Sequence, residues 1–439
     1  MPDIIVAGAG HGGLTAACNL ARNGCKVTVY EKKPREELGY DWVDCMTHSV
    51  FNESGVPMPA KSGFLPFVYP GYYSPSKGTL ITPSDGFTGG SLYYVERKFL
   101  INHLVESCIR EGVEFVFGAE VTGCVTDGGR VTGVKVSLPG DDSGSEIYAD
   151  LIIDAAGIDS PVRRSLPANL GIQNDVSPEE TFYVYRACYE RSAAGSLDPV
   201  YCNYFYHCGH RGMDWLICEP EYIDVLIGQI GSLDSAEIDE SLSDFRRSYD
   251  FIGEKLVRGG TVEKIPLRRP LSLFVADGYA LVGDSACMTE PLSGSGINMS
   301  LKAGKILSDV ITERFCEDFS AENLWRYQYK FFKNVGERYY NDAIINRVAF
   351  SLEESDLEAL MRDGVLTAKE IYGESGVNAL NDAVNKIRGI AGERQLIPKL
   401  VRAGMAMAKL SGLKKAIPNV YDSEKIAAWR ESYDKILSL

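Results

Sequence analysis

Asp3-Ile-Ile-Val-Ala-Gly8-Ala-Gly10-His11-Gly12-Gly13-Leu-Thr-Ala-Ala17 opens the chain, and Lys26-Val-Thr-Val-Tyr30-Glu31 follows it. The apolar run Ile4 to Ala7 reads as a buried parallel strand. Gly8 allows a tight turn, Gly10 lets the backbone approach a pyrophosphate, and Gly13 lets the following helix pack close to the strand. The positive end of that helix then faces the phosphates. Glu31 closes the second strand, where a carboxylate accepts hydrogen bonds from ribose hydroxyls. Strand, glycine turn, helix, second strand and terminal acid stand in register, which implies a bound dinucleotide.

Composition narrows the rest. The chain has 439 residues, 45% hydrophobic and 24% charged, the balance of a soluble globular protein of two or three domains. Its net charge of −15 argues against nucleic acid as a partner. No apolar run is long enough to span a bilayer, and the dinucleotide strand occupies the place of a cleavable signal, so a cytoplasmic location is expected. The 11 cysteines form no C-x-x-C pair and the five histidines offer little for a metal, so none is expected.

Further along, Glu96 to Ile109 carries a helical pattern, and Val113–Phe117, Val121–Val125, Val131–Val136 and Asp150–Asp154 read as strands. Residues 36–90 are rich in Gly, Pro, Ser and Tyr and suggest a pocket wall. Residues 180–230 alternate rings with polar side chains, as an antiparallel sheet with one covered face does. Residues 236–258 read as helical, Tyr279 to Gly283 as a buried strand, and Asn298 to Glu313 as a helix. The tail beyond 314 is mostly helical. From Lys399 to Lys415 it holds five basic residues and no acid. Those charges scatter around the helix axis, which favours an intramolecular helix over one lying on a membrane.

Three separated elements match one pattern. They are Gly8-x-Gly10-x-x-Gly13 with Glu31, Ala156-Gly157-Ile-Asp159-Ser160-Pro-Val-Arg163-Arg164, and Gly283-Asp284-Ser285-Ala286 followed by Pro291-Leu-Ser-Gly294-Ser-Gly296-Ile297-Asn298. Together they resemble the FAD-dependent oxidoreductases that include geranylgeranyl reductases, aromatic-ring hydroxylases and flavin halogenases. The run from Pro291 to Gly304 is most similar to the geranylgeranyl reductase branch. The resemblance covers residues 1 to about 315. It implies an α/β fold: a discontinuous Rossmann-like FAD-binding domain (1–50, 91–167, 265–315), an inserted antiparallel-sheet substrate domain (51–90, 168–264) and a helical C-terminal region (316–439).

As cofactor contacts the resemblance implies Gly8, Gly10, Gly12, Gly13, Glu31, Lys32, Arg97, Val121, Asp159, Gly283, Asp284, Gly294, Gly296, Ile297 and Asn298. The helix after Gly296 would present its N-terminus to the ring and stabilise reduced flavin. Trp42, Trp215 and Pro291 would line the substrate pocket. Cys45, Tyr206 and His207 are candidate proton donors. The sequence departs from the branch at Met213-Asp-Trp215-Leu-Ile-Cys218-Glu-Pro220, where only Trp215 of a Tyr-x-Trp-x-Phe-Pro segment is kept. The Trp-x-Trp-x-Ile-Pro of the halogenases is absent, and no cysteine beyond Cys316 could hold an iron–sulfur cluster. The favoured expectation is reduction of C=C bonds in a hydrophobic, isoprenoid-like substrate. NAD(P)H or a reduced protein carrier would supply the electrons, and contact with the membrane periphery is a further option. The alternatives are a monooxygenase acting on an aromatic or polyketide-like substrate, and an electron carrier serving a redox partner.

Overall fold

The computed structural model of the chain describes residues 1–435 except 86, 88, 89, 139, 314–317, 335 and 373–395. Cys316 therefore lies outside the described residues. A six-stranded sheet forms the base, in the order Glu114–Phe117, Lys26–Glu31, Asp3–Ala7, Leu151–Asp154, Tyr279–Leu281 and Val275–Ala276. All neighbours are parallel except the last pair. The strands Asp3–Ala7 and Leu151–Asp154 are almost wholly buried, which explains their unbroken apolar runs. The helices His11–Arg22 and Ile297–Thr312 cover one face. They come so close that a Cβ on Gly304 would sit 2.3 Å from the Gly12 carbonyl oxygen.

A seven-stranded sheet stands over this base, in the order Ile252–Pro266, Thr181–Arg191, Tyr222–Ile230, Met213–Cys218, Tyr201–Phe205, Gly71–Tyr73 and Leu80–Ile81. Side chains alternate between its two faces. On the far face, Ala187, Val225, Ile227, Leu216 and Tyr204 pack on Leu242 and Phe245 of the helix Ser235–Ser248. An Asp234/Glu237 capping box starts that helix. On the near face, Phe182, Val184 and Leu226 cluster with Trp215, Ile230, Ile265 and Leu267.

Helix ends at Ser248, and Ile252–Pro266 is a 15-residue strand, where the sequence pattern predicts helix to 258. This strand is the sheet's edge and largely exposed, so it lacks the alternation that marks a half-buried strand. Pairing with Thr181–Arg191 decides its state. In the tail, the helix Ser423–Lys435 returns to the base, where Tyr433 is buried and donates to the Pro270 carbonyl at 2.9 Å. Lys399, on the helix Leu396–Ala416, is held by Asp356 at 3.0 Å. The side chains of Arg402 and Lys414 on the same helix lie outside the described residues. No helix among the described residues is long and apolar enough to cross a membrane.

Gly304→Ala tests the helix contact. Replacing a mid-helix glycine ordinarily adds about 1 kcal/mol of stability. Here the new methyl group meets a backbone carbonyl, and overpacking of this kind costs about 1–3 kcal/mol. A fall in the urea midpoint is expected, and a rise would refute the close packing.

Candidate functional site

The first motif folds as a strand, a turn at Gly8 with φ of +88°, and a helix from His11 with Gly10 as its N-cap. No side chain caps that helix and its first turn holds no acid, so its leading N–H groups remain available to an anion. A Cβ on Gly8 or on Gly10 would stand 2.8 Å from the Ala155 carbonyl oxygen, and one on Gly13 would stand 2.5 Å from the Ala155 Cβ. Gly10 is therefore required by contact with Ala155. The space its missing side chain leaves faces the Ala155 carbonyl at the end of the neighbouring strand. Gly12 is constrained likewise by Val282 and the Ser300 carbonyl.

Glu31 is buried at the end of its strand. One carboxylate oxygen accepts from the Ala9 N–H at 2.7 Å and the other from the Lys33 N–H at 2.9 Å. This fixes the carboxylate beside the glycine turn with lone pairs to spare for hydroxyl donors. Lys32 beside it is exposed. The Ala119 N–H donates to the Glu31 carbonyl at 3.0 Å and draws the segment leading to Val121 alongside. Val121 buries its side chain in the core, so only its backbone is available there.

The second and third motifs are fastened together. Arg163, fully buried, donates to the carbonyls of Ile158, Asn174 and Ser285. The Gly157 N–H donates to Ser285 Oγ at 3.0 Å. Asp159 is engaged in two ion pairs: Arg164 holds it at 2.5 Å and Lys264, on the edge strand of the upper sheet, at 2.8 Å. It braces the two sheets against each other.

His11, Arg97 and Asp284 converge from three distant stretches. Burial pushes the His11 imidazole well below its usual range, and the Arg97 charge adds to this. Burial pushes the Asp284 carboxyl up, opposed by a 2.6 Å bond from Thr289 Oγ1 and by the same Arg97. Arg97 donates to Asp44 at 3.0 Å, yet its Nε, like His11 Nε2, is buried without a hydrogen-bond partner. Unmet polar atoms at this convergence fit a polar ligand such as the phosphates and sugar chain of FAD. Gly283, with φ of +70°, and Gly294, with φ of +68°, shape the adjoining loop. A Cβ on Gly296 would lie 3.4 Å from Asp284 Oδ1. The helix Ile297–Thr312 begins there with no acid in its first turn, and Ile297 is buried. Asn298 is already engaged, because its Oδ1 accepts from the Thr47 N–H at 3.2 Å. It ties this helix to the strand Val43–Thr47, which carries Cys45.

Above the loop stands the near face of the upper sheet. Ile265 and Leu267 lie 3.8–4.0 Å from where a Gly294 Cβ would be. Arg186 is buried between the rings of Trp42 and Trp215, at 5.7 and 5.0 Å. Asp224 grips it at 3.1 and 2.6 Å, and Asp44 adds a contact at 3.3 Å. Burial alone would disfavour the guanidinium charge, but Asp224 and Asp44 hold it firmly protonated. Pro291 is buried beside this wall, and its carbonyl accepts from Asn346. Trp215 Nε1 and Asn203 Oδ1 are buried without partners. Cys45 pairs with Tyr94 across the small sheet and interacts electrostatically with Tyr72 and Tyr201.

Two candidate donors lie elsewhere. His207 is behind the upper sheet, stacked on Phe245 at 4.1 Å and held between Asp214 at 2.7 Å and Asp244 at 2.9 Å. Tyr206 donates to the Leu352 carbonyl at 2.7 Å, toward the tail. Both lie within a chain reversal with left-handed φ at Tyr206 and Cys208, which carries them out of the strand's alternation. Donor atoms of His207, Cys208 and Asp244 come within 4.8 Å of one another, but the Lys77 ammonium already lies 2.8 Å from Asp244. Arg186, Asp44, Asp224 and His11 carry no motif of their own. An arginine within an alternating aromatic strand is the one sequence signal that could have singled out Arg186, and the sequence reading gives it no role.

Glu31→Ala is expected to weaken FAD binding by about 1–3 kcal/mol through loss of charge-assisted hydrogen bonds. Fluorescence titration of the apoprotein with FAD measures this, and unchanged affinity would place the nucleotide elsewhere.

Known proteins share both the sequence pattern and the architecture. The profile of the FAD dependent oxidoreductases matches residues 3–158, and that of squalene epoxidase matches residues 267–365. Digeranylgeranylglycerophospholipid reductase 1 of Methanococcoides burtonii is 28% identical over 378 residues, covering 82% of this chain and 86% of the relative. The digeranylgeranylglycerophospholipid reductase of Sulfolobus acidocaldarius is 24% identical over 452 residues, covering 99% and 97%. Among solved structures, a geranylgeranyl bacteriochlorophyll reductase-like protein of Thermoplasma acidophilum superposes with a TM-score of 0.71 at 18% identity, over 91% of this chain and 99% of that one. With the three motifs assembled into one cradle, the chain is an FAD-dependent oxidoreductase that is similar along most of its length to the digeranylgeranylglycerophospholipid reductases.

Proposed function

We propose that the chain reduces carbon–carbon double bonds of an isoprenoid lipid. The observation that carries this reading is the apolar near face, with Phe182, Val184, Leu226, Ile265 and Leu267 set against the Gly294 turn. That wall suits a hydrocarbon. The named activity of the matched relatives supports the same substrate class.

FAD, when bound, supplies the hydride. The chain's residues position the lipid, exclude water and hold protons. The buried Arg186–Asp224 pair sets Trp215 and Trp42 as fixed walls. Burial, then the Asp44 charge, pushes the Cys45 thiol up to about 12, so it keeps its proton at neutral pH. Burial likewise pushes the Tyr72 hydroxyl up to about 12. Sγ–H of Cys45 and O–H of Tyr72 are thus proton sources beside the wall, and neither acts as a base there. The electron donor is a reduced nicotinamide or a reduced protein carrier. A lipid substrate also suits work at a membrane periphery, where Ile397, Val401 and Met405, exposed at four-residue spacing, offer an apolar edge.

A hydroxylase reading draws on the squalene epoxidase profile over residues 267–365. Oxygen separates the two. Photoreduced holoprotein, mixed anaerobically with a geranylgeranyl-chain phospholipid, is expected to re-oxidise and to yield a product heavier by two hydrogens per turnover. Re-oxidation only on admitting oxygen, with an oxygenated product, would establish the hydroxylase instead.

A further inference from the structure

A cavity of about 420 Å³ opens between the near face of the upper sheet and the tail helices Gly336–Ser351 and Leu396–Ala416. Its walls are of two kinds. Ile230 and Leu267 line it, and both belong to the apolar cluster that includes Trp215 and Leu226. Asn346 also lines it while donating to the Pro291 carbonyl, so the cavity adjoins the loop at the cofactor motif. The polar part holds four cationic side chains, Arg211, Arg268, Arg347 and Lys399, against two acidic ones, Glu179 and Glu180. A cationic excess is notable in a chain of net charge −15.

Most of these charges are already satisfied. Glu180 takes Arg268 at 2.6 Å, Glu179 takes Arg211 at 3.2 Å, and Asp356 takes Lys399 at 3.0 Å. Arg347 is exposed and has no ion-pair or hydrogen-bond partner among the described residues. The pairs fix the rim in shape, and Arg347 leaves a bidentate guanidinium free to meet an anion. From Leu226, opposite Trp215, to Ile230 the strand climbs roughly 13 Å. An extended isoprenoid can therefore lie along the near face with its far end at the arginine rim.

We propose that this cavity holds a phosphate group carried by the isoprenoid substrate, with Arg347 as its principal contact. The proposal rests on the isoprenoid reading above and adds a charged-end subsite to it. It makes Arg347 a residue that selects phosphorylated over neutral isoprenoids.

The test titrates the FAD-loaded protein with geranylgeranyl diphosphate and with geranylgeraniol, which share one chain, and follows flavin or tryptophan fluorescence. The wild type is expected to prefer the diphosphate by at least about tenfold, the scale of one charge-assisted hydrogen-bonded contact. Arg347→Glu is expected to abolish that preference and Arg347→Lys to keep most of it. Inorganic phosphate is expected to compete with the diphosphate and not with the alcohol. Equal affinity of the wild type for both isoprenoids would overturn the subsite while leaving the isoprenoid reading in place. A preference that survives Arg347→Glu would do the same. Binding of inorganic phosphate through Arg347 with no preference between the isoprenoids would make the rim an anion site unrelated to substrate. Binding of neither isoprenoid would overturn the isoprenoid reading itself.

Discussion

Everything at the site depends on how closely the chain approaches Ala155. Three glycines of the opening motif, Gly8, Gly10 and Gly13, press against that one residue, which immediately precedes the second motif. Any Cβ at these positions would meet backbone or a methyl group within 3 Å. The contact places the start of the first helix beside the end of the Leu151–Asp154 strand. There the third motif is bolted on through Arg163 and Ser285. Packing this close resists deformation, so it holds the cradle in shape.

A second layer of constraint sets the wall above the cradle. A buried arginine is costly unless its charge is paired and hydrogen-bonded. Arg186 meets that condition with Asp224 from its own sheet and Asp44 from the strand that carries Cys45. Asp44 in turn receives Arg97, whose charge reaches His11 and Asp284. One chain of charges thus links the upper sheet to the cofactor motif. It fixes the spacing between an apolar wall and the place where the cofactor ring would lie.

The first motif was legible in sequence because glycine spacing and a terminal acid encode local geometry. The near-face cluster was legible less directly, as alternation in residues 180–230. Parity explains where reading failed. Tyr206 and His207 follow Phe205 in sequence, but left-handed φ values at Tyr206 and Cys208 break the alternation and carry His207 to the opposite face. The strand Ile252–Pro266 hides behind exposed polar residues at a sheet edge. The roles of Arg186 and Asp44 require a contact between residues 142 positions apart, which no local pattern announces. At Gly10 the sequence points to a ligand, and the contact with Ala155 is invisible in it because the two residues lie far apart in the chain.

The account's central claim is that three separated motifs build one flavin cradle. The most direct measurement is the flavin content of the purified protein, from its absorption spectrum and from FAD released on denaturation. The account predicts a yellow protein with about one non-covalent FAD per chain, restored on reconstitution of the stripped apoprotein. A colourless protein that takes up no FAD would contradict it.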